Sequence, residues 1–329
     1  RPWKRSWGRA ARTSAVRWSL AAATAASVMA VLLTASLATT SGAASALPDT
    51  TPTPCTYLPF IAYSPACPTS STNQYEDGTV YQYDLDDPVR PAWNHADKNI
   101  ELRGYAANSN PGLRKDLVDY GCDDDKAPQL ATLFSPHRVP ALVGFNRVNH
   151  WDYASSPDPG ERADPIANPP VTALGLRTAR GESLYVPDSG YDIGGGKEAI
   201  VIYADEDTVA LRYAREDTVG GPPRDYVPGN GGPGYVVHVD GICTDPNLLA
   251  LYDSHDAPGG PRYVYVHPDE RPYAYPLPNL ASGKPIGVAR TDEVVVAVVD
   301  TGSFQDPRSL NEFWNVRPGY PGSRSDRAH

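Results

Sequence analysis

The chain has 329 residues and a formal charge of −10, with 34 prolines, 28 glycines, 20 tyrosines, five phenylalanines and one methionine. That length holds one or two domains with a real core, and the Pro, Gly and Tyr bias suits a loop-rich extracellular β protein better than a helical cytosolic enzyme. An acidic balance lacks the basic footprint that phosphate backbones demand, which excludes nucleic acid as the main partner but not sugars or peptides.

The first residues differ in kind from the rest. Arg1, Lys4, Arg5, Arg9, Arg12 and Arg17 form a basic head, no charge follows from Trp18 to Pro48, and Leu20–Leu37 is rich in Ala, Val and Leu. Ala44-Ser45-Ala46 fits a signal-peptidase site, so residues 1–46 are expected to be an export signal. The alternative is an uncleaved N-terminal anchor, since about 20 apolar residues can cross a bilayer. Under either reading the remainder is secreted or lies in the cell envelope, and only this segment meets a membrane. Cys55, Cys67, Cys122 and Cys243 are an even set in an exported chain, which favours disulfides. The expected pairs are Cys55–Cys67, closing a short loop, and Cys122–Cys243, tying the middle of the chain to its β core. No two of these cysteines have zinc-knuckle spacing.

Residues 47–75 are rich in Pro, Thr and Ser and read as a linker. In the flank 76–164, Tyr75–Tyr83 reads as a turn and strand. Asn99–Tyr105 alternates polar and apolar like a half-buried strand, and Leu117–Tyr120 reads as another. Ala127–Phe134 is the one short helix, with Pro128 near its first turn. Val139–His150, extended by Trp151-Asp152-Tyr153, is a strand, and Ser155–Pro170 a loop. From 165 to 316, Val171–Arg177 leads into the core, and strands are expected at Glu198–Ala204, Thr208–Tyr213, Gly234–Gly241 and Asp292–Asp300. Two Pro/Gly-rich excursions, Gly220–Gly234 and Ala257–Pro278, separate them. Asp245-Pro246-Asn247 before Leu248–Tyr252 fits either a capped helical turn or a strand, and Leu280–Gly287 is a strand–turn unit. Residues 317–329 are polar and expected to be disordered. Gly194-Gly195-Gly196 is no phosphate loop, because the following Lys-Ser/Thr and helix are missing.

The order of pieces over about 165–310 resembles that of lysostaphin-type (LytM-like) zinc endopeptidases, which cut peptidoglycan cross-bridges. The matching pieces are Asp188-Ser189-Gly190-Tyr191-Asp192, Gly234-Tyr235-Val236-Val237, Leu251-Tyr252-Asp253-Ser254-His255 and Ala281–Gly287. Val294–Val299 running into Asp306-Pro307 completes the set. The resemblance implies an all-β fold: an antiparallel β-sandwich core like the duplicated hybrid motif, with long Pro/Gly-rich loops and an irregular N-terminal flank. It also places the family's zinc ligands on Asp188, Asp192 and Val295, its first strand histidine on Glu293, and its Leu-Tyr-x-His histidine on Ser254, one place before His255. Valine cannot ligate a metal, and two carboxylates alone make a poor zinc site.

The candidate binding residues are therefore Asp188, Asp192, Tyr191, Tyr252, His255 and Glu293. Asp188 and Asp192 could hold Ca²⁺ or act as acid and base, or simply cap turn amides. Glu293, beside Asp292, is either a groove side chain or a solvated strand end. His255 could be a base oriented by an acid, whereas His238, in an alternating strand, reads as a packing residue. Tyr191 and Tyr252 could stack on sugar rings or pack in the core. No residue is assigned as catalytic, and no metal or cofactor is expected. The expected function is binding of peptidoglycan, another glycan or peptide polymer, or a partner protein. The alternative is a divergent secreted hydrolase, a metallo-endopeptidase or a glycosidase, using Asp188, Asp192 or Glu293. A purely structural surface protein is a third reading.

Overall fold

The chain divides into two units, Arg1–Ala62 and Tyr63–His329. The computed structural model describes residues 67–82, 92–110, 116–118, 127–155, 160–190, 192–214, 218–219, 234–256 and 273–314, all in the second unit. The expected signal segment, Cys55, Cys122, Tyr191 and residues 317–329 lie outside these residues.

The strands are β1 (Glu76–Gln82), β2 (Tyr105–Ala107), β3 (Leu142–Asp152), β4 (Glu161–Pro165), β5 (Ala173–Arg177), β6 (Ser183–Tyr185), β7 (Ala199–Ala204) and β8 (Thr208–Ala214). They continue with β9 (Thr218–Val219), β10 (Gly234–Asp240), β11 (Ile242–Thr244), β12 (Tyr273–Leu280), β13 (Pro285–Ala289), β14 (Glu293–Asp300) and β15 (Ser303–Phe304). Three helices accompany them: α1 (Ile100–Arg103), α2 (Pro246–Asp256) and α3 (Leu310–Phe313). The expected all-β class holds. The main sheet runs β2-β3-β5-β14-β10-β8-β7-β12-β1-β9, with β15 on β14 and β4 on β3, and a smaller sheet runs β11-β13-β6. Flank and core share the main sheet, because β3 pairs with β5 from Leu142↔Leu176 to Asn146↔Ala173.

Strand β14 explains this arrangement. Its run Val294–Val299 is apolar at every position, the pattern of a strand covered on both faces. Val294, Val296 and Val298 enter the larger core with Leu174, Leu176, Val237 and Val239. Val295 and Ala297 enter a smaller core with Ile100, Val148, Ile166 and Ala173, against which Tyr105 and Phe304 pack. Each fully buried valine contributes about 1.5–3 kcal/mol, so neither face can be left wet. The smaller core is closed by a flap made of residues 92–107, including α1 and β2.

Several local expectations change. Asn99–Tyr105 is not a strand. Asn99 accepts from the Glu101 amide at 2.9 Å as an N-cap, Gly104 ends the turn at φ +57°, and only then does β2 begin. The side-chain oxygen of Asn99 thereby satisfies a backbone donor that a half-buried strand would have left to a neighbour. Ala127–Phe134 holds a single 3₁₀ turn, Leu130–Leu133. Ser155–Pro170 contains β4. Strand β12 starts inside the expected excursion Ala257–Pro278. It tolerates Pro276 and Pro278 because it meets β7 only at Asn279 and Leu280, leaving the proline stretch with β1 alone. Of Leu117–Tyr120, Val118 forms one bridge to Ser309. Leu248–Tyr252 is helical within α2, capped by Asp245, whose carboxylate accepts from the Asn247 amide at 2.9 Å.

The expected disulfides are both corrected: Cys67 bonds Cys243, with Cα atoms 5.4 Å apart and a sequence separation of 176. The described end of the expected linker is consequently docked. Ser71 and Asn73 donate to Asp245 at 2.7 and 2.6 Å, Asn247 donates to the carbonyls of Ser71 and Asn73, and Tyr75 donates to the Pro285 carbonyl at 3.0 Å. Burial would raise the Asp245 pKa, but the Ser71, Asn73 and Asn247 hydrogen bonds outweigh it and hold the carboxyl below its ordinary value. At the other end of the unit, Asp306 and Arg308 form a buried bidentate pair, and the Trp314 indole donates to the Pro307 carbonyl at 2.6 Å.

Because Cys67–Cys243 closes a long loop in the unfolded chain, Cys67→Ser is expected to lower stability by about 2–5 kcal/mol. Denaturant melts check the magnitude, and non-reducing peptide mapping that links Cys67 to any other cysteine would contradict the pairing.

Candidate functional site

The rim of the flap meets one end of the main sheet, and the carboxylates gather there. The β7–β8 turn is set by Asp205, whose Oδ1 accepts from the amides of Asp207 and Thr208 at 3.0 and 2.7 Å. Its Oδ2 accepts from the Tyr203 hydroxyl at 2.6 Å. The Asp207 carbonyl takes the amides of Gly241 and Ile242, both at 3.1 Å, so the turn is fixed against the β10–β11 connection. Asp207 pairs with Arg290 at 2.7 Å.

From above, the flap delivers Glu101 and Tyr105. Asn99 anchors it by donating to the Tyr203 hydroxyl at 3.0 Å, and Tyr105 donates to Asp240 at 2.7 Å. Thr208 donates to the other Asp240 oxygen at 3.2 Å. One ligating atom each from Glu101, Asp205 and Asp207 lies within 4.8 Å of the others, the only such trio of His, Cys, Asp or Glu among the described residues.

Glu293 completes the row on β14. Its carboxylate rests on the backbone of β5 and β3, where a Cβ on Gly175 or Gly144 would run into it. These two glycines are required by the close approach of that side chain, not by their backbone angles.

The electrostatics follow from crowding. Burial first, then the negative charges of Asp205, Asp207 and Asp240, push Glu101 up to about 7. Asp207 is raised by burial and by Asp205, against the lowering effect of Arg290. Tyr203 and Tyr105 are raised by burial and by donating to Asp205 and Asp240 respectively, so both stay protonated as donors. Such a row can accept hydrogen bonds from hydroxyl, amide and ammonium groups. The Glu101–Asp205–Asp207 trio alone has the oxygen chemistry of a hard cation or of a shared proton.

The residues expected from sequence fall elsewhere, Glu293 excepted. Asp192 is exposed and caps the Gly194 amide at 2.8 Å, which is turn chemistry. Asp188 accepts the Ser282 hydroxyl, while its amide donates to Thr132 at 2.7 Å. Both aspartates sit beside Glu198, which burial raises first, opposed by the Ser189 amide and reinforced by Asp188 and Asp192. Tyr252 is a core residue, 1% exposed, donating to the Ile202 carbonyl at 3.3 Å and meeting Tyr203 edge-on, so it offers no surface to a ligand. His255 is buried at the end of α2, 2.9 Å from Asp77. Ser254 donates to Leu251 within the same helix. Val295 lies beneath the flap.

No family model matches the chain, and no curated protein or solved structure matches it. No helix among the described residues is long and apolar enough to cross a membrane.

Glu101, Asp205, Asp207, Asp240 and Tyr105 were not singled out from sequence. Asp205-Glu206-Asp207 between two apolar strands marks an acidic turn, but nothing local pairs it with Glu101. Of the exposed large apolar side chains among the described residues, Trp93 belongs to the flap, where its carbonyl accepts from Asn99, and Tyr153 lies beside it, its hydroxyl reached by Arg103.

Two outcomes are expected here. Glu101 holds its proton more tightly folded than unfolded, so its crowding costs stability as pH rises from about 4.5 through about 7. Glu101→Gln should therefore raise the melting temperature by a few degrees at pH 8, with the difference vanishing near pH 4.5. Gly175→Ala should cost about 1–3 kcal/mol by overpacking. In a double-mutant cycle, Glu293→Ala should recover part of that loss; no recovery would place the collision elsewhere.

Proposed function

We propose that this is an exported protein of the cell envelope or extracellular space whose β unit binds peptidoglycan or another glycan or peptide polymer. In this reading its second half is a non-catalytic relative of lysostaphin-type domains. One observation carries the binding assignment: Glu101, Asp205, Asp207, Asp240 and Glu293 converge with the hydroxyls of Tyr105 and Tyr203 at one end of the main sheet. A row of acceptors with two fixed phenols suits a polymer rich in hydroxyls, amides and amines, and the exposed Trp93 and Tyr153 give sugar rings an apolar surface. The Cys67–Cys243 bond fits an oxidising compartment.

A second reading has its own support. Glu101, near neutrality beside Asp205 and Asp207, suits a carboxyl acid/base in a cell-wall glycosidase.

Co-sedimentation of the purified protein with purified peptidoglycan separates these readings. Binding predicts retention that falls about tenfold or more in the Asp240→Asn, Glu293→Gln double variant, a loss of about 1.4 kcal/mol. Solubilised fragments that disappear with Glu101→Gln would establish the hydrolase instead, and retention of nothing would overturn both.

A further inference from the structure

Among the described residues, His238 is the one imidazole buried within the main sheet. It lies on β10 between Ala297 of β14 and Ala210 of β8. Its neighbours on the strand, Val237 and Val239, point into the larger core, so the ring faces the flap side. It is 1% exposed, and neither ring nitrogen has a hydrogen-bond partner among the described residues. Above it lies Phe304 of β15, stacked at 6.3 Å with 24° between the planes. The Arg103 guanidinium of α1 approaches the same phenyl ring, its carbon 5.3 Å from the centroid.

The elements packed on this imidazole bring few charges to it. The neighbouring positions of β8 and β14 are alanines, and β15 offers a phenyl ring. Helix α1 contributes Arg103, a cation, and the turn before it contributes Asp97. Asp97 is already bound by Arg103, whose remaining donors go to the carbonyls of Ala96 and Asn149 and to the Tyr153 hydroxyl. An imidazolium here would have no acceptor and would stand near a buried guanidinium.

We propose that His238 is an acid-sensing trigger beneath the flap of residues 92–107, and that protonating it loosens the flap and uncovers the sheet face carrying Val295, Ala297 and Asp240. Burial first, and Arg103 second, hold the imidazole down to about 4. The sign is set by the unfolded or opened state, in which histidine takes a proton near 6.5. For this group alone protons are bound more tightly by the open form, so its titration makes opening up to about tenfold easier for each pH unit between about 6.5 and 4, against the opposite pull of Glu101 on the flap, which the closed form protonates more readily. The flap yields before the rest because of how it is held. It is fastened by polar links, Asn99 to Tyr203, Tyr105 to Asp240 and the Arg103 network, and by the three-residue edge ladder of β2 on β3, over a small core, whereas the opposite face carries the larger apolar core.

The test uses the purified protein with no ligand, so it stands apart from the binding assignment. Hydrogen exchange, corrected for the intrinsic pH dependence, is read by peptide at pH 6.5 and 4.5. In the Glu101→Gln protein, which lacks the opposing titration of that flap carboxyl, amides of residues 100–107 should lose about fortyfold protection, while those of β7 and β8 keep theirs. His238→Leu and His238→Asn should both abolish the loss. A flap equally protected at both pH values, a loss that persists in either variant, or simultaneous loss in β7 and β8 overturns the proposal. NMR titration of the wild-type ring decides the matter even if neither variant folds: a folded-state midpoint near 6.5 overturns it, and one well below supports it.

Discussion

Everything in the described unit answers to one requirement: strand β14 must be dry on both faces. A run of valines this long at the centre of a sheet forces the chain to supply two covers. The larger cover is apolar and comes from the small sheet, α2 and the segment around α3. The other has to be made from the N-terminal flank, which is poor in large apolar residues. That flank is fastened by directional contacts instead, through Asn99, Arg103 and Tyr105. The polar rim that results is where the acidic groups meet, so the position of the candidate site follows from the shortage of apolar material in the flap.

The parts of this arrangement visible in sequence are those encoded locally. Strands β7, β8, β10 and β14 are runs rich in β-branched residues, all but β8 ended by Asp, and each lies where the pattern puts it. The segment Asn99–Tyr105 was ambiguous in principle, since Asn-Ile-Glu-Leu-Arg-Gly satisfies both a two-residue alternation and a capped helical turn. The choice was made by Tyr203, far along the chain, which takes the Asn99 amide. The cysteine partners were equally out of reach, because spacing says nothing about which strand will carry Cys67 past Cys243. Of the site, Glu293 was legible as a charge opening an apolar strand. Glu101 was not, since its companions belong to a turn about a hundred residues away.

Two carboxylates show how the same side chain is driven in opposite directions by its neighbours. Asp245 is surrounded by donors from Ser71, Asn73 and Asn247 and sits low. Glu101 is surrounded by acids and sits high. The first is a fastening, satisfied and costly to remove. The second is a group whose charge the fold does not neutralise, and that is the kind of imbalance expected where a protein meets something outside itself. Asp188 and Asp192, by contrast, have been absorbed by turns, which is why their motif-like spacing leads to no site.

The pairing of the first described strand has a consequence for how this molecule is made. Glu76 through Gln82 lie against Asn279 through Tyr273, a partner from near the opposite end of the chain. A ribosome releases β1 long before β12 exists, and contacts between such distant segments form slowly. Throughout synthesis the edge of β1 is an open strand that any passing chain can extend. If the nascent polypeptide crosses a membrane, this delay is useful: a protein unable to close its sheet until its last third has appeared remains threadable until then.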